Sequence, residues 1–466
     1  MKATINKQLK NLRRQFDPES RNLFKNSSWV FIANGLGTAY AFLKTILITR
    51  ILGAELLGTY TLAVAFVLTT QEFLKLNISM GLIRFGAIFS KDDNKEKVVS
   101  VIKFSLLLSI ISALLSVILV AVLLLFSYHT FIKAPGLTPY IIAFAFVNSL
   151  TFIDAISKAS LKLFYKFKTN SIIQMAMDTI EVIVIVTTLL IFGPDLKAFF
   201  TASILAKLLN SITCNFTAFR ELLPELQPYL KSKINLIKET KKEFLKYIFG
   251  NSMSSTVKVF MNQGDVLLLG TLGTTTDVAY YSTAKKLAYS VLTLTDPLTT
   301  SIFPQFSHLL ASKVYNKVLV MLKSMTKVFL IPALILLIIA FFIKEPIVTL
   351  LYGKEFAPSA MPFFILLICA VQGSVFFWSL PLIQSLGLIK KRFIVYLIAI
   401  IIGGIIGILL TPTYKSSGIA IGLLIANLYI TARFVLASIQ RLKKSEIERS
   451  TDNPDVNGEQ ISTQIV

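Results

Sequence analysis

Histidine and cysteine are almost missing from this chain, with two of each in 466 residues. His129 and His308 stand far apart, and Cys214 and Cys369 both lie inside apolar runs. No HxxxH, CxxC, GxSxG or GxxxxGK(S/T) occurs. These absences exclude a disulfide framework, a signalled metal site, a nucleophile elbow and a phosphate-cradling loop. No cofactor and no metal are expected, and nothing marks a catalytic centre. Acidic residues are scarce as well: 25 Asp and Glu stand against 47 Lys and Arg, a formal net charge of +22. A basic balance suits nucleic acid when the cations gather on one soluble domain. Here they alternate with apolar runs, so the positive-inside rule accounts for them and no nucleic-acid partner is expected. No small-residue cleavage site follows the first apolar run near Ser27, so no removable signal peptide is expected.

What is abundant is apolar. Hydrophobic residues make up 54% of the chain and charged ones 15%, and the mean hydropathy is +0.70. Repeated apolar runs of membrane length predict an all-α polytopic membrane protein. Twelve spans are expected, at 27–49, 56–78, 103–127, 138–160, 170–192, 197–219, 246–270, 276–305, 323–343, 358–386, 391–410 and 417–439. The 84–97, 158–168, 220–246 and 313–327 loops, the lead, Lys390-Lys391-Arg392 and the tail are rich in Lys and Arg, and a twelve-span count puts all of them on one side. Both termini are therefore expected in the cytoplasm, with the chain in the cell membrane. The expected organisation is a basic amphipathic lead at 1–26, a six-helix lobe at 27–220, an interfacial linker at 221–245, a second lobe at 246–440 and a disordered tail at 441–466. Asp17-Pro18-Glu19 reads as the start of a helix.

An internal repeat organises the two lobes. NLFKNSSWVFIANGLGTAYAFLKTILITRILGAELLGTYTLA reads as a helix, a short Leu-Gly turn and a second helix, and KYIFGNSMSSTVKVFMNQGDVLLLGTLGTTTDVAYYSTA is a blurred copy. Aligning Leu52-Gly53 with Leu272-Gly273 sets Thr45 opposite Asp265. A duplicated helix–turn–helix at the head of each half predicts two pseudo-symmetric six-helix bundles.

Charges inside the spans are the candidate functional groups, because each costs at least a few kcal/mol there unless hydrated or paired. Such a set is accommodated around a water-filled cavity. Lys44, Lys207, Lys258, Lys285 and Lys286 are the cationic candidates for substrate, and Asp178, Glu181 and Asp265 are the candidates for ion coupling. Asp265 follows Lys258 by two helical turns on nearly one face, so it binds a coupling cation, poises the lysine, or simply pairs with it. Asp178 and Glu181, three apart, share a proton or Na+, or pair with Lys207 on the next helix. Lys285 and Lys286 point about 100° apart, so one of the two is expected to face a cavity. Asp154 and Lys158 read as a structural i,i+4 pair. Gly403-Gly407 and Gly418-Gly422 mark close helix packing.

Six segments carry a resemblance to a known family: ITRILGAELLGTYTLA, DVLLLGTLGTTTDVAYYSTAKKL, SIFPQFSHLLA, LLYGKEFAPSA, QSLGLIKKRF and TYKSSGIAIGLLIA. In that order they resemble the polysaccharide transporters, the Wzx-type lipid-linked oligosaccharide flippases of the multidrug/oligosaccharidyl-lipid/polysaccharide (MOP) superfamily. The resemblance implies two lobes around a cationic central cavity. It also implies flipping of a polyprenyl-diphosphate-linked glycan by alternating access, in surface polysaccharide or glycan biosynthesis. Membrane lipids, coupling H+ or Na+ and glycan polymerase or assembly proteins are the partners it brings. Lys44 stands where lipid II flippases of the superfamily have an arginine followed by aspartate, but Thr45 comes next here, which argues against a peptidoglycan precursor. Two other readings remain: a MATE-like cation-coupled small-molecule or drug antiporter, whose cavity is expected to be acidic, and a membrane-embedded glycan polymerase or transferase. The latter needs a long external loop, and the loops expected outside are all short.

Overall fold

A computed structural model gives the fold, and it describes residues 18–91, 94–131, 135–229, 231–232, 234, 236 and 238–452. Side chains are described from Gly35 onward apart from 36, 91, 127–135, 251, 253–262, 294, 300, 389 and 447–452. The amphipathic lead expected at 1–26 falls outside the described side chains, and the tail beyond Asp452 falls outside the described residues.

Among the described residues the secondary structure is entirely helical. The run Pro18–Glu72 is two helices, because Gly53 interrupts it at φ 71°, ψ 179°. We name 18–52 α1 and 54–72 α2. The next five are Ile78–Lys91 (α3), Lys95–Phe131 (α4), Thr138–Ser149 (α5), Thr151–Leu163 (α6) and Phe167–Phe192 (α7). Leu196–Leu226 (α8), Lys238–Leu272 (α9), Thr275–Tyr289 (α10), Asp296–Ala311 (α11) and Tyr315–Tyr352 (α12) follow. Ala360–Val375 (α13), Ser379–Ser385 (α14), Ile389–Tyr414 (α15) and Ser416–Asp452 (α16) complete the chain. Among the described residues eight stretches are long and apolar enough to cross a membrane. Large apolar side chains such as Phe342 and Leu350 lie open on the surface, as lipid contact requires. The chain is a multi-pass, all-α membrane protein.

The Leu-Gly turn after the first helix is as the repeat suggested, because only a residue without Cβ takes that positive φ cheaply. Glu355 then caps α2, its Oε1 accepting from the Ala54 N–H at 2.9 Å. The copy turns differently. Thr274 and Asp277 form a reciprocal capping box at the start of α10. Gly58 has to be glycine, since a Cβ there collides with the backbone carbonyl of Thr275.

Two expectations need correction. The basic 84–97 stretch is mostly helix: the second span breaks at 73–77 and resumes as α3, which reaches Lys91. Ile78, Leu82 and Phe85 drive this by burying against Phe244 and Ile248 of α9, a periodicity that a span count overlooks. The second copy has a corresponding interruption, with a 3-10 turn at Ser290–Leu294 between α10 and α11. The tail is not disordered from Arg441, because α16 runs on to Asp452 with Leu442 buried beside Ile302 and Phe306.

The chain divides into two compact units. The first holds the residues up to Leu52 together with Ala63–Val259. Its interior carries polar groups as well as the α3–α9 core: Gln71 Nε2 donates to the Ala145 carbonyl at 2.8 Å, and Asn148 Nδ2 donates to Gln71 Oε1 at 2.7 Å. The second holds Gly53–Leu62 and the chain from Phe260 onward. There α15 and α16 touch through glycine, since a Cβ on Gly403 would stand 2.9 Å from the Gly422 carbonyl.

Candidate functional site

Each unit holds one polar centre built from the predicted residues. In the first, Lys44 of α1 pairs with Glu181 of α7, Nζ to Oε1 at 2.9 Å, and both side chains are 25% exposed. Asp178, one turn before Glu181, takes a hydrogen bond from Gln174 Nε2 at 2.9 Å. Its Oδ2 lies 2.9 Å from where a Cβ on Gly37 would stand, so glycine in α1 makes room for this acid. Gln174 is itself held from the other side, Lys158 Nζ donating to its Oε1 at 3.0 Å. Lys158 thus reaches Gln174, while Asp154 accepts from Ser211 Oγ at 2.6 Å and Asn215 Nδ2 at 2.7 Å. The i,i+4 pairing expected of Asp154 and Lys158 gives way to these amides and hydroxyls on α7 and α8. Lys207 of α8 lies over the ring of Phe144 at 5.4 Å, a cation–π contact made within electrostatic reach of Glu181 and Asp154.

In the second unit Asp265 of α9 and Lys285 of α10 form the centre, Nζ to Oδ2 at 2.5 Å, with side chains 13% exposed for the lysine and 9% for the acid. Tyr281 OH donates to the same oxygen at 2.5 Å. Asp265 Oδ1 accepts from the Val266 N–H at 2.8 Å. The Lys285 ammonium also sits 5.8 Å from the ring centres of Tyr281 and Tyr289, one turn to either side of it. Lys286 points elsewhere and is exposed, as the 100° separation of neighbours implied. The side chain of Lys258 lies outside the described residues.

The structure therefore joins Lys44 with Glu181 and Asp265 with Lys285, and it leaves Asp178 on a neutral amide. Sequence reasoning had offered Glu181 to Lys207, and Asp265 to Lys258, the latter a pairing that lies outside the described side chains. Two contributors were missed. Tyr281 was signalled only by standing one turn before Lys285, and Asn215 by being an amide inside an apolar span. Among the described residues no group of three or more His, Cys, Asp and Glu is placed to hold a metal ion. Cys214 and Cys369 are free and buried.

Comparison with known proteins follows the same lines. A family model described as polysaccharide biosynthesis protein matches residues 63–361, well over half of the chain. No curated protein matches in sequence. Among solved structures, a multidrug resistance MATE family transporter of the MOP superfamily in its inward-facing conformation aligns with TM-score 0.70 and 14% identity, over 88% of this chain and 95% of that one. The lipid II flippase MurJ in an inward closed conformation aligns with TM-score 0.65 and 15% identity, over 91% of this chain and 90% of that one. A MOP superfamily transporter from Pyrococcus furiosus aligns with TM-score 0.58 and 15% identity, over 93% and 97%. At such identities the likeness is one of fold, and the fold is that of MOP transporters.

Proposed function

The chain belongs to the polysaccharide biosynthesis protein family, and from that premise we propose that it is a flippase. It carries a polyprenyl-diphosphate-linked oligosaccharide across the cytoplasmic membrane by alternating access, both termini in the cytoplasm. The family match over 63–361 is the observation that carries this reading. The lipid II flippase among the structural neighbours supports it as a fold that accommodates such work.

The chemistry agrees. A diphosphate headgroup bears about two negative charges and cannot enter hydrocarbon alone. Lys44 is held by one carboxylate at a quarter exposure, so a phosphate oxygen can take that carboxylate's place. Lys207, over its aromatic ring, is a second ammonium in the same unit that can receive an anion. Lysines act as single-point contacts and release an anion more readily than a bidentate arginine does. Lys258 and Lys286 complete the proposed cationic path. Asp178 and Glu181 take up the coupling H+ or Na+ when Lys44 turns to the cargo. The lobes 27–220 and 246–440, joined by the 221–245 linker, are the proposed working parts, with assembly proteins receiving the glycan.

The test is reconstitution of the full chain in liposomes with a fluorescent polyprenyl-diphosphate oligosaccharide, scored by accessibility of the sugar on the far leaflet. Wild type moves it, and Lys44→Ala together with Lys207→Ala slows it about tenfold or more, as loss of roughly 1.4 kcal/mol of binding to the moving headgroup requires. Movement of an organic cation such as ethidium, with the lipid-linked sugar left in place, overturns the flippase reading in favour of the antiporter.

A further inference from the structure

We propose that Lys285 is a built-in counter-cation: its ammonium, tethered to α10, fills a monovalent-cation site at Asp265, so that this acid exchanges no metal cation while the protein works. A buried aspartate on a membrane helix invites a coupling ion, because an unpaired carboxylate is costly there. Here the chain itself supplies a partner to each carboxylate oxygen. One carboxylate oxygen receives Lys285 Nζ and Tyr281 OH, both at 2.5 Å, and the other receives the Val266 N–H at 2.8 Å. The acid is only 9% exposed and the tyrosine wholly buried, so bulk cations have little approach. The lysine is also braced, since the Tyr281 and Tyr289 rings flank its ammonium at 5.8 Å each. An ammonium donating to the carboxylate neutralises it as a bound Na+ would, without dissociating. The Lys44–Glu181 pair has neither the extra donor nor the burial.

The inference does not depend on what the protein carries, and melting of the purified full chain in detergent at one fixed pH tests it. Wild type melts at the same temperature in Na+, K+ and choline salts. Lys285→Ala melts lower in choline, and Na+ or n-propylammonium, which replaces the missing arm, raises it by about 2 °C or more. Adding Asp265→Asn to Lys285→Ala removes that cation response. A folded Lys285→Ala that ignores every cation overturns the proposal. So does a wild-type melting temperature that rises with Na+ and loses the rise in Asp265→Asn. The wild-type measurement decides the matter even where Lys285→Ala fails to fold.

Discussion

Two lysine–carboxylate pairs built from the candidate residues, Lys44–Glu181 in the first unit and Lys285–Asp265 in the second, are built in opposite ways. In the first unit the cation stands on the helix before the Leu-Gly turn and its acid comes from α7, far along the chain. In the second the acid stands on the helix before the corresponding turn, and the cation comes from the very next helix. The aligned repeat puts Thr45 where Asp265 stands, and the Thr45 hydroxyl merely bonds back to the Ala41 carbonyl at 2.8 Å. The duplicated scaffold has thus kept its helix–turn–helix while its charges have diverged. The first pair is a quarter exposed and is the one proposed to exchange, whereas the second is about a tenth exposed with a tyrosine on the same oxygen and is the one proposed as a fixture.

Stability measurements can break or sharpen that contrast. The largest effect belongs to Asp265→Ala, which strands the Lys285 ammonium in the bundle and costs about 3–5 kcal/mol. It is read as a fall in melting temperature and in folded yield by size exclusion. Adding Lys285→Met recovers much of it, because an apolar pair of similar volume replaces a buried ion pair at little cost. Tyr281→Phe comes next at about 1–3 kcal/mol, the cost of removing one donor from a buried carboxylate. Lys44→Ala is smallest: water screens a quarter-exposed pair, so the loss is about 0–1 kcal/mol and the melting temperature hardly moves. A drop for Lys44→Ala that rivals Asp265→Ala would erase the distinction between exchangeable and fixed pairs.

Much of the fold was legible because a bilayer simplifies the code. The apolar runs all fall on helices, and the Gly53 turn lies where Leu-Gly indicated. Interruptions were not legible. The breaks at 73–77 and 290–295 carry no proline or glycine in their five or six residues, and they mix apolar with polar residues as the helices do. Asn77 shows why, its N–H donating to Ser252 Oγ of α9 at 3.0 Å, a bond no local pattern announces. The candidate charges were found as a set because an ionisable group in an apolar run is rare. The Asp265–Lys285 pair was not found, since Lys258 stands nearer to Asp265 in sequence than Lys285 does.

The sequence by itself determined the class of protein, the helical runs and the list of charges within the apolar spans, because each follows from the cost of placing polar groups in hydrocarbon. Which carboxylate neutralises which lysine was decided only by tertiary structure. Rotation about each helix axis and the packing of α1 on α7 and α9 on α10 bring those ends within 3 Å, and no one-dimensional spacing encodes a distance between helices.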